Sequence, residues 1–173
     1  MEELRAACDK QEAAPVTYSA VEHLALLKPF QQRTVEYVFR RLFTDQSPTD
    51  QFLVADEVGL GKTMVARGVI AKTIEHLLGK VDRIDIVYIC SNQAIAEQNI
   101  KSLNVMGSAA KPLNTRLTLL PLEIEKEGGI ASRPINLISL TPGTALDLKS
   151  SLGTAPERAL IFEMLRERIG LRH

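Results

Sequence analysis

The sequence predicts an α/β domain in which helices flank a parallel sheet, and three observations lead there. Short apolar runs of strand length alternate with helical patterns along most of the chain. Those runs are apolar almost without interruption, as strands buried on both faces are. One strand–helix junction carries a glycine-rich loop of the kind that holds phosphate. A chain of 173 residues suits one such domain with a real core.

Taken in order, residues 1–14 read as a polar helix ending before Pro15, and Tyr18 to Leu27 as a second helical pattern. Pro29 suits the first turn of the next helix, where its missing N–H would be unpaired in any residue. That helix runs to about Phe43, with Val35, Val38, Phe39 and Leu42 at helical spacing. Asp45 to Asp50, with Ser47-Pro48 inside it, is a loop. Gln51 to Ala55 is an apolar run of strand length. Gly59 and Gly61 make a turn, and Lys62 to Leu78 is a helix stopped by Gly79, its Met64, Val65, Val69 and Ile70 covering the sheet.

Arg83 to Cys90 reads as a buried strand and Asn92 to Leu103 as a helix. Arg116 to Leu120 and Pro134 to Leu140 are two further strands, separated by a loop holding Gly128-Gly129. An amphipathic helix from Glu157 to Ile169 follows, a docked terminal helix by default. The chain therefore divides into a helical segment (1–27), a strand–helix core (28–148) and a linker with its helix (149–173). It contains no internal repeat and no low-complexity tract.

Composition excludes several classes. Basic and acidic residues balance at 21 each, so no broad basic face is available for nucleic acid. Aromatics make up 5% with no Trp, which argues against a base-stacking platform. No run approaches the ~20 apolar residues of a membrane span, and Met1-Glu2-Glu3-Leu4-Arg5 lacks the apolar core of a secretory signal. Cys8 and Cys90 lie far apart without metal-type spacing and read as reduced thiols of a cytoplasmic protein. His23, His76 and His173 have no ligand spacing either.

The strongest signal is Asp56-Glu57-Val58-Gly59-Leu60-Gly61-Lys62-Thr63, placed between an apolar run and a helix. Glycines let the backbone curl so that successive N–H groups point inward at phosphate oxygens. The helix that follows aims its positive end at the same anion. Lys62 would reach the β- and γ-phosphates of a bound nucleotide, and the Thr63 hydroxyl would hold Mg²⁺. One position departs from the general pattern: Asp56 stands six before Lys62, where Gly or Ala is usual. An apolar strand ending in Asp56-Glu57 could itself be a magnesium-binding acidic motif, but the Gly-Leu-Gly-Lys-Thr behind it argues for the phosphate loop.

Asp-Glu-x-Gly-Leu-Gly-Lys-Thr resembles the P-loop of Swi/Snf-type translocases within helicase superfamily two, a family that tolerates Asp at that position. Upstream, Leu27-Lys28-Pro29-Phe30-Gln31 is similar to the family's Leu-Arg/Lys-Pro-Tyr/Phe-Gln element. The resemblance implies that Gln31 reads the adenine edge, an amide offering a donor and an acceptor together. Downstream, Ser91-Asn92-Gln93-Ala94-Ile95-Ala96-Glu97-Gln98 is similar in spacing to the Pro-Thr-Arg-Glu-Leu-Ala-x-Gln element of DEAD-box helicases, which grips the nucleic-acid backbone. Thr141-Pro142-Gly143-Thr144 is similar to the Thr-Pro-Gly-Arg element. Both lack the family's Arg, and both also fit an ordinary strand-to-helix connection.

What the resemblance implies is a P-loop NTPase fold: an incomplete first RecA-like lobe that binds ATP with Mg²⁺ through Val58, Gly59, Leu60, Gly61, Lys62 and Thr63. Ser91, Asn92, Gln98, Thr141 and Gly143 would meet DNA or RNA. The family's acidic pair, Asp-Glu after an apolar strand, organises Mg²⁺ and the attacking water. Residues 145–173 contain none: Asp147 follows no apolar strand, and Glu157, Glu163 and Glu167 fall on the last helix among Arg158, Arg166 and Arg168. The expectation is nucleotide binding with negligible turnover, and a sheet left open for a partner to cover.

Three origins stay open: a fragment of a longer helicase, which is preferred; a truncation completed by dimerising or docking on a partner; or one part of a longer protein. A non-catalytic module that keeps the loop as a nucleotide sensor or interaction scaffold is the alternative function.

Overall fold

The computed structural model describes residues 18–107, 112–114, 120–141 and 155–166. The expected helix over residues 1–14, most of the expected strand over 116–120, Gly143 and Asp147 lie outside them. Helices α1 (Val21–Ala25), α2 (Pro29–Phe39) and α3 (Lys62–Leu77) precede strand β1 (Ile84–Ile89). Then come α4 (Gln93–Leu103), β2 (Pro112–Asn114), α5 (Leu120–Glu125), β3 (Ile135–Leu140) and α6 (Ala155–Arg166). The sheet is parallel, in the order β1-β3-β2, with Ile84 opposite Ile135 and Ile89 opposite Leu140. The architecture is therefore mixed α/β, a small parallel sheet flanked by helices.

Local chemistry sets most boundaries. Pro29 opens α2, and the extended Lys28 before it (ψ 155°) is the conformation a residue ahead of proline prefers. Gly79 turns the chain after α3 at φ 77°. Asn92 caps α4, its side-chain oxygen accepting from the Ile95 N–H at 3.2 Å. The last turn of the predicted helix through Phe43 widens into a π-helix over Arg40–Thr44. There Phe43 lies over Phe39 at 5.1 Å, and both rings meet His76 of α3 at 5.5 and 5.6 Å.

Several expectations are corrected. Gln51 to Ala55 is not a strand: the run is unpaired coil, with Leu53 83% exposed. An apolar run becomes a strand only where a neighbour takes its backbone hydrogen bonds, and here Phe52 packs edge-on against Tyr37 of α2 instead, at 5.7 Å. A short strand that the sequence reading did not single out pairs with β3 at Pro112–Asn114, and Leu120, the last residue of the strand expected over 116–120, opens α5. Met64, Val65 and Val69 do not cover the sheet; they pack with Leu27 and Val35 under α2, while Ile70 joins the cluster around Ile84 and Ile135. Burial on both faces holds for β3 but not for β1, where alternate residues emerge and Val87 and Ile89 are exposed. β1 is an edge strand of the described sheet, covered on one face only. The apolar side chains Ile161, Phe162, Met164 and Leu165 of α6 are likewise exposed.

Two positions fix the packing. Gly68, inside α3, is where α2 comes closest: a Cβ there would sit 2.7 Å from Val35 Cγ2 and 2.9 Å from Leu27 Cδ1. Alanine would gain roughly 1 kcal/mol of helix propensity but overpack the contact, which costs about 1–3 kcal/mol. Gly68→Ala is therefore expected to lower the melting temperature by about 2–4 °C, and Gly68→Leu by more. A thermal melt in which Gly68→Ala is the more stable protein would contradict this contact.

The second position is Asn136, fully buried in β3. Its Nδ2 donates to Asp85 Oδ1 of β1 at 2.9 Å and to the Ile130 carbonyl at 3.0 Å. Arg83 Nε holds the other Asp85 oxygen at 2.9 Å. One amide thus ties two strands and the turn before β3.

Candidate functional site: the loop before helix α3

The segment from Asp56 to Gly61 is curled. Gly59 and Gly61 both adopt left-handed φ, at 91° and 80°, on either side of Leu60. At such values any other residue type carries a penalty of about 1–2 kcal/mol. The Gly61 carbonyl accepts from Met64 and Val65 N–H at 2.8 and 3.2 Å, so α3 starts on the loop's last residue. No side chain caps this helix start, and its first turn holds no acidic residue. The positive end of a 16-residue helix is thus left uncompensated beside a loop of peptide groups.

Lys62, the first residue of α3, folds back across this loop. Its Nζ donates to the Asp56 carbonyl at 2.7 Å and to the Glu57 carbonyl at 2.9 Å. The ammonium therefore lies where the chain curls. A competing anion would have to draw it off two neutral carbonyls. Val58 stands fully in solvent at 98% exposure, and Leu60 and Gly59 are exposed as well. The Thr63 side chain is half-buried in the first turn. Magnesium keeps several waters and rides on substrate phosphates, so a lone hydroxyl fits it only when a nucleotide brings the ion. Among the described residues no group of three His, Cys, Asp or Glu side chains could hold a metal by itself.

Gln31 comes to the same loop from α2. It is buried at 6% exposure, its Oε1 accepting from the Lys28 N–H and its Nε2 donating to the Leu60 carbonyl, each at 2.9 Å. The structure thus brings together Gln31, Val58, Gly59, Leu60, Gly61, Lys62 and Thr63, the residues singled out in sequence for nucleotide.

The candidates for nucleic acid divide. Ser91 and Asn92 follow β1 and Thr141 follows β3, and the parallel register (Cys90 N–H to the Leu140 carbonyl, 3.1 Å) places all three at the carboxyl end of the sheet. Ser91 and Gln98 are exposed, Asn92 uses its side-chain oxygen on the α4 cap, and Thr141 is buried at 4%. Gly143 lies outside the described residues.

Two groups are missed by sequence reasoning, Asn136 and Tyr18. A lone Asn inside an apolar strand is the signal for the first. Tyr18 stacks on His23 at 6.0 Å, and burial pushes its phenol up to about 12, with Arg67 pulling the other way. Tyr88 of β1 is also raised by burial, while Asn99 of α4 donates to its oxygen at 2.8 Å and opposes the rise. Tyr18 packs against the buried cluster around Ile84 and Ile135, and Tyr88 is tied to α4 by the Asn99 bond.

Among the described residues no helix is long and apolar enough to cross a membrane. Comparison with family models, with curated proteins and with solved structures returned no match.

Proposed function

We propose that this chain is the nucleotide-gripping part of a first RecA-like lobe, of the kind found in ATP-dependent helicases and translocases, in a cytoplasmic setting. Val58 to Thr63 take the phosphates of an adenine nucleotide, Lys62 leaves its two carbonyls for the β- and γ-oxygens, and the Thr63 hydroxyl completes the shell of a nucleotide-borne Mg²⁺. One observation carries this reading. Two left-handed glycines curl the loop around Leu60, and it opens onto an uncapped helix whose first residue is a lysine. DNA or RNA would meet the carboxyl end of the sheet, at Ser91, Asn92 and Thr141, with Gln98 on the helix behind. Turnover by the 173-residue chain is expected to be negligible, because residues 145–173 hold no Asp-Glu pair behind an apolar run.

The test is titration calorimetry of the 173-residue chain with ATP and Mg²⁺. Binding is expected, and Lys62→Ala is expected to weaken it about tenfold to a hundredfold, the value of charge-assisted contacts to phosphate. Absence of binding in the unsubstituted chain, or affinity indifferent to Lys62→Ala, would sink the proposal. That outcome would favour the second reading, an interaction module using the loop as scaffold. The exposed apolar side chains of β1 and α6 are the observation on its side.

A further inference from the structure

The resemblance gives Gln31 to the adenine ring, but the geometry points to a different role, in which Gln31 is a positioning residue that latches the phosphate loop to the start of α2. This inference rests on the nucleotide-binding reading above and reassigns one of its residues.

The valences of an amide come first. Oε1 accepts the Lys28 N–H, closing the first turn of α2, and Nε2 donates to the Leu60 carbonyl, the peptide between the two left-handed glycines. Both ends of the side chain are thus engaged within the protein, and the loop partner lies 29 residues away in sequence. At 6% exposure the amide presents almost none of itself to a ligand. The contact is close as well as bonded. A Cβ built on Gly61 would fall 2.6 Å from Gln31 Nε2, so the loop backbone lies directly against the amide. The bond also fixes a direction. With the Leu60 carbonyl turned toward Gln31, the N–H of that same trans peptide, which belongs to Gly61, points the opposite way, away from the amide.

Fixing the loop in this form before the anion arrives removes part of the ordering cost of binding, whatever base the nucleotide carries. A base contact would act differently: it would help ATP and leave base-free phosphate chains untouched. A neutral hydrogen bond of this kind is worth about a factor of two to ten in an equilibrium.

The experiment compares the unsubstituted 173-residue chain with Gln31→Met, which keeps the volume and removes both bonds. Affinities for ATP and for inorganic tripolyphosphate, each with Mg²⁺, are measured by calorimetry, and amide hydrogen exchange of residues 59–63 is followed without ligand. The latch predicts that both affinities fall by the same factor, about fivefold, that the ATP-to-GTP preference stays as it was, and that exchange in the loop accelerates. Loss of ATP affinity with tripolyphosphate unchanged would restore the base-reading role and overturn the latch. So would unchanged exchange.

If the unsubstituted chain binds neither ligand, the nucleotide reading fails by itself. Loop exchange still decides the latch. Should Gln31→Met not fold, Gln31→Glu keeps the acceptor for Lys28 and drops the donor to Leu60; faster loop exchange in it supports the latch, and unchanged exchange overturns it.

Discussion

Replacing Asn136 by Asp is expected to destabilise the protein by about 4 kcal/mol at neutral pH, the cost of an unpaired charge placed inside a core. The side chain is fully buried, and its Nδ2 now supplies hydrogens to Asp85 Oδ1 and to the Ile130 carbonyl. A carboxylate there supplies none and faces three acceptors, the Arg133 carbonyl at 3.5 Å included, one of them charged. Burial and Asp85 both push the new carboxyl's folded pKa above its unfolded value of about 3.9. The folded state then holds the proton more tightly than the unfolded one, so stability falls as pH rises through that interval. Denaturant melts across pH should therefore find the variant closest to the parent near the acid end and furthest from it above the raised pKa. A pH-independent difference below about 1 kcal/mol, the value of one lost hydrogen bond, would mean that Asn136 does not join the strands as described.

Gly61→Ala is expected to cost about 2–4 kcal/mol in two separable parts. Left-handed backbone at φ 80° accounts for about 1–2 kcal/mol, and the collision with Gln31 Nε2 at 2.6 Å for the remainder, as overpacking does. The parts come apart in a double-mutant cycle. With Gln31→Ala already in place the collision vanishes and only the backbone contribution stays, so the two substitutions together should destabilise less than the sum of each alone. Strict additivity in chemical denaturation would place Gln31 away from the loop and remove the ground for its latch role.

Much of this arrangement was legible from residue types. Pro29, Gly79 and Asn92 each carry a local preference that needs no tertiary partner, and the ends of α2, α3 and α4 fall where those preferences put them. The apolar runs around Ile86 and Leu137 became strands because each found the other. Phe52-Leu53-Val54-Ala55 has the same composition and lacks such a neighbour, and composition alone cannot tell the two situations apart. The same limit hid the open face of β1, since a run apolar but for Asp85 reads as buried on both sides wherever it stands.

At the candidate site, glycine spacing foretold the curl of the loop. The partners of Gln31 and Lys62 were not readable, because a side chain's hydrogen bonds depend on what the fold brings beside it. Gly68 and Asn136 were visible as oddities, a glycine within a helix and an amide within an apolar strand. Their reasons lie in close approach and in a cross-strand bond.

The register of the sheet bears on how the chain acquires its form. Asp85 and Asn136, neighbours across β1 and β3, are 51 residues apart in sequence, whereas α2 and α3 meet through a shorter connection. Closing the larger loop carries the greater entropic penalty and rewards nothing until it is complete. The helical pair can therefore assemble early, leaving the strands to zip up last. Throughout that interval the apolar side chains of β1 stand uncovered, and at high protein concentration encounters between two such molecules compete with closure onto β3. Refolding yield is accordingly expected to rise on dilution.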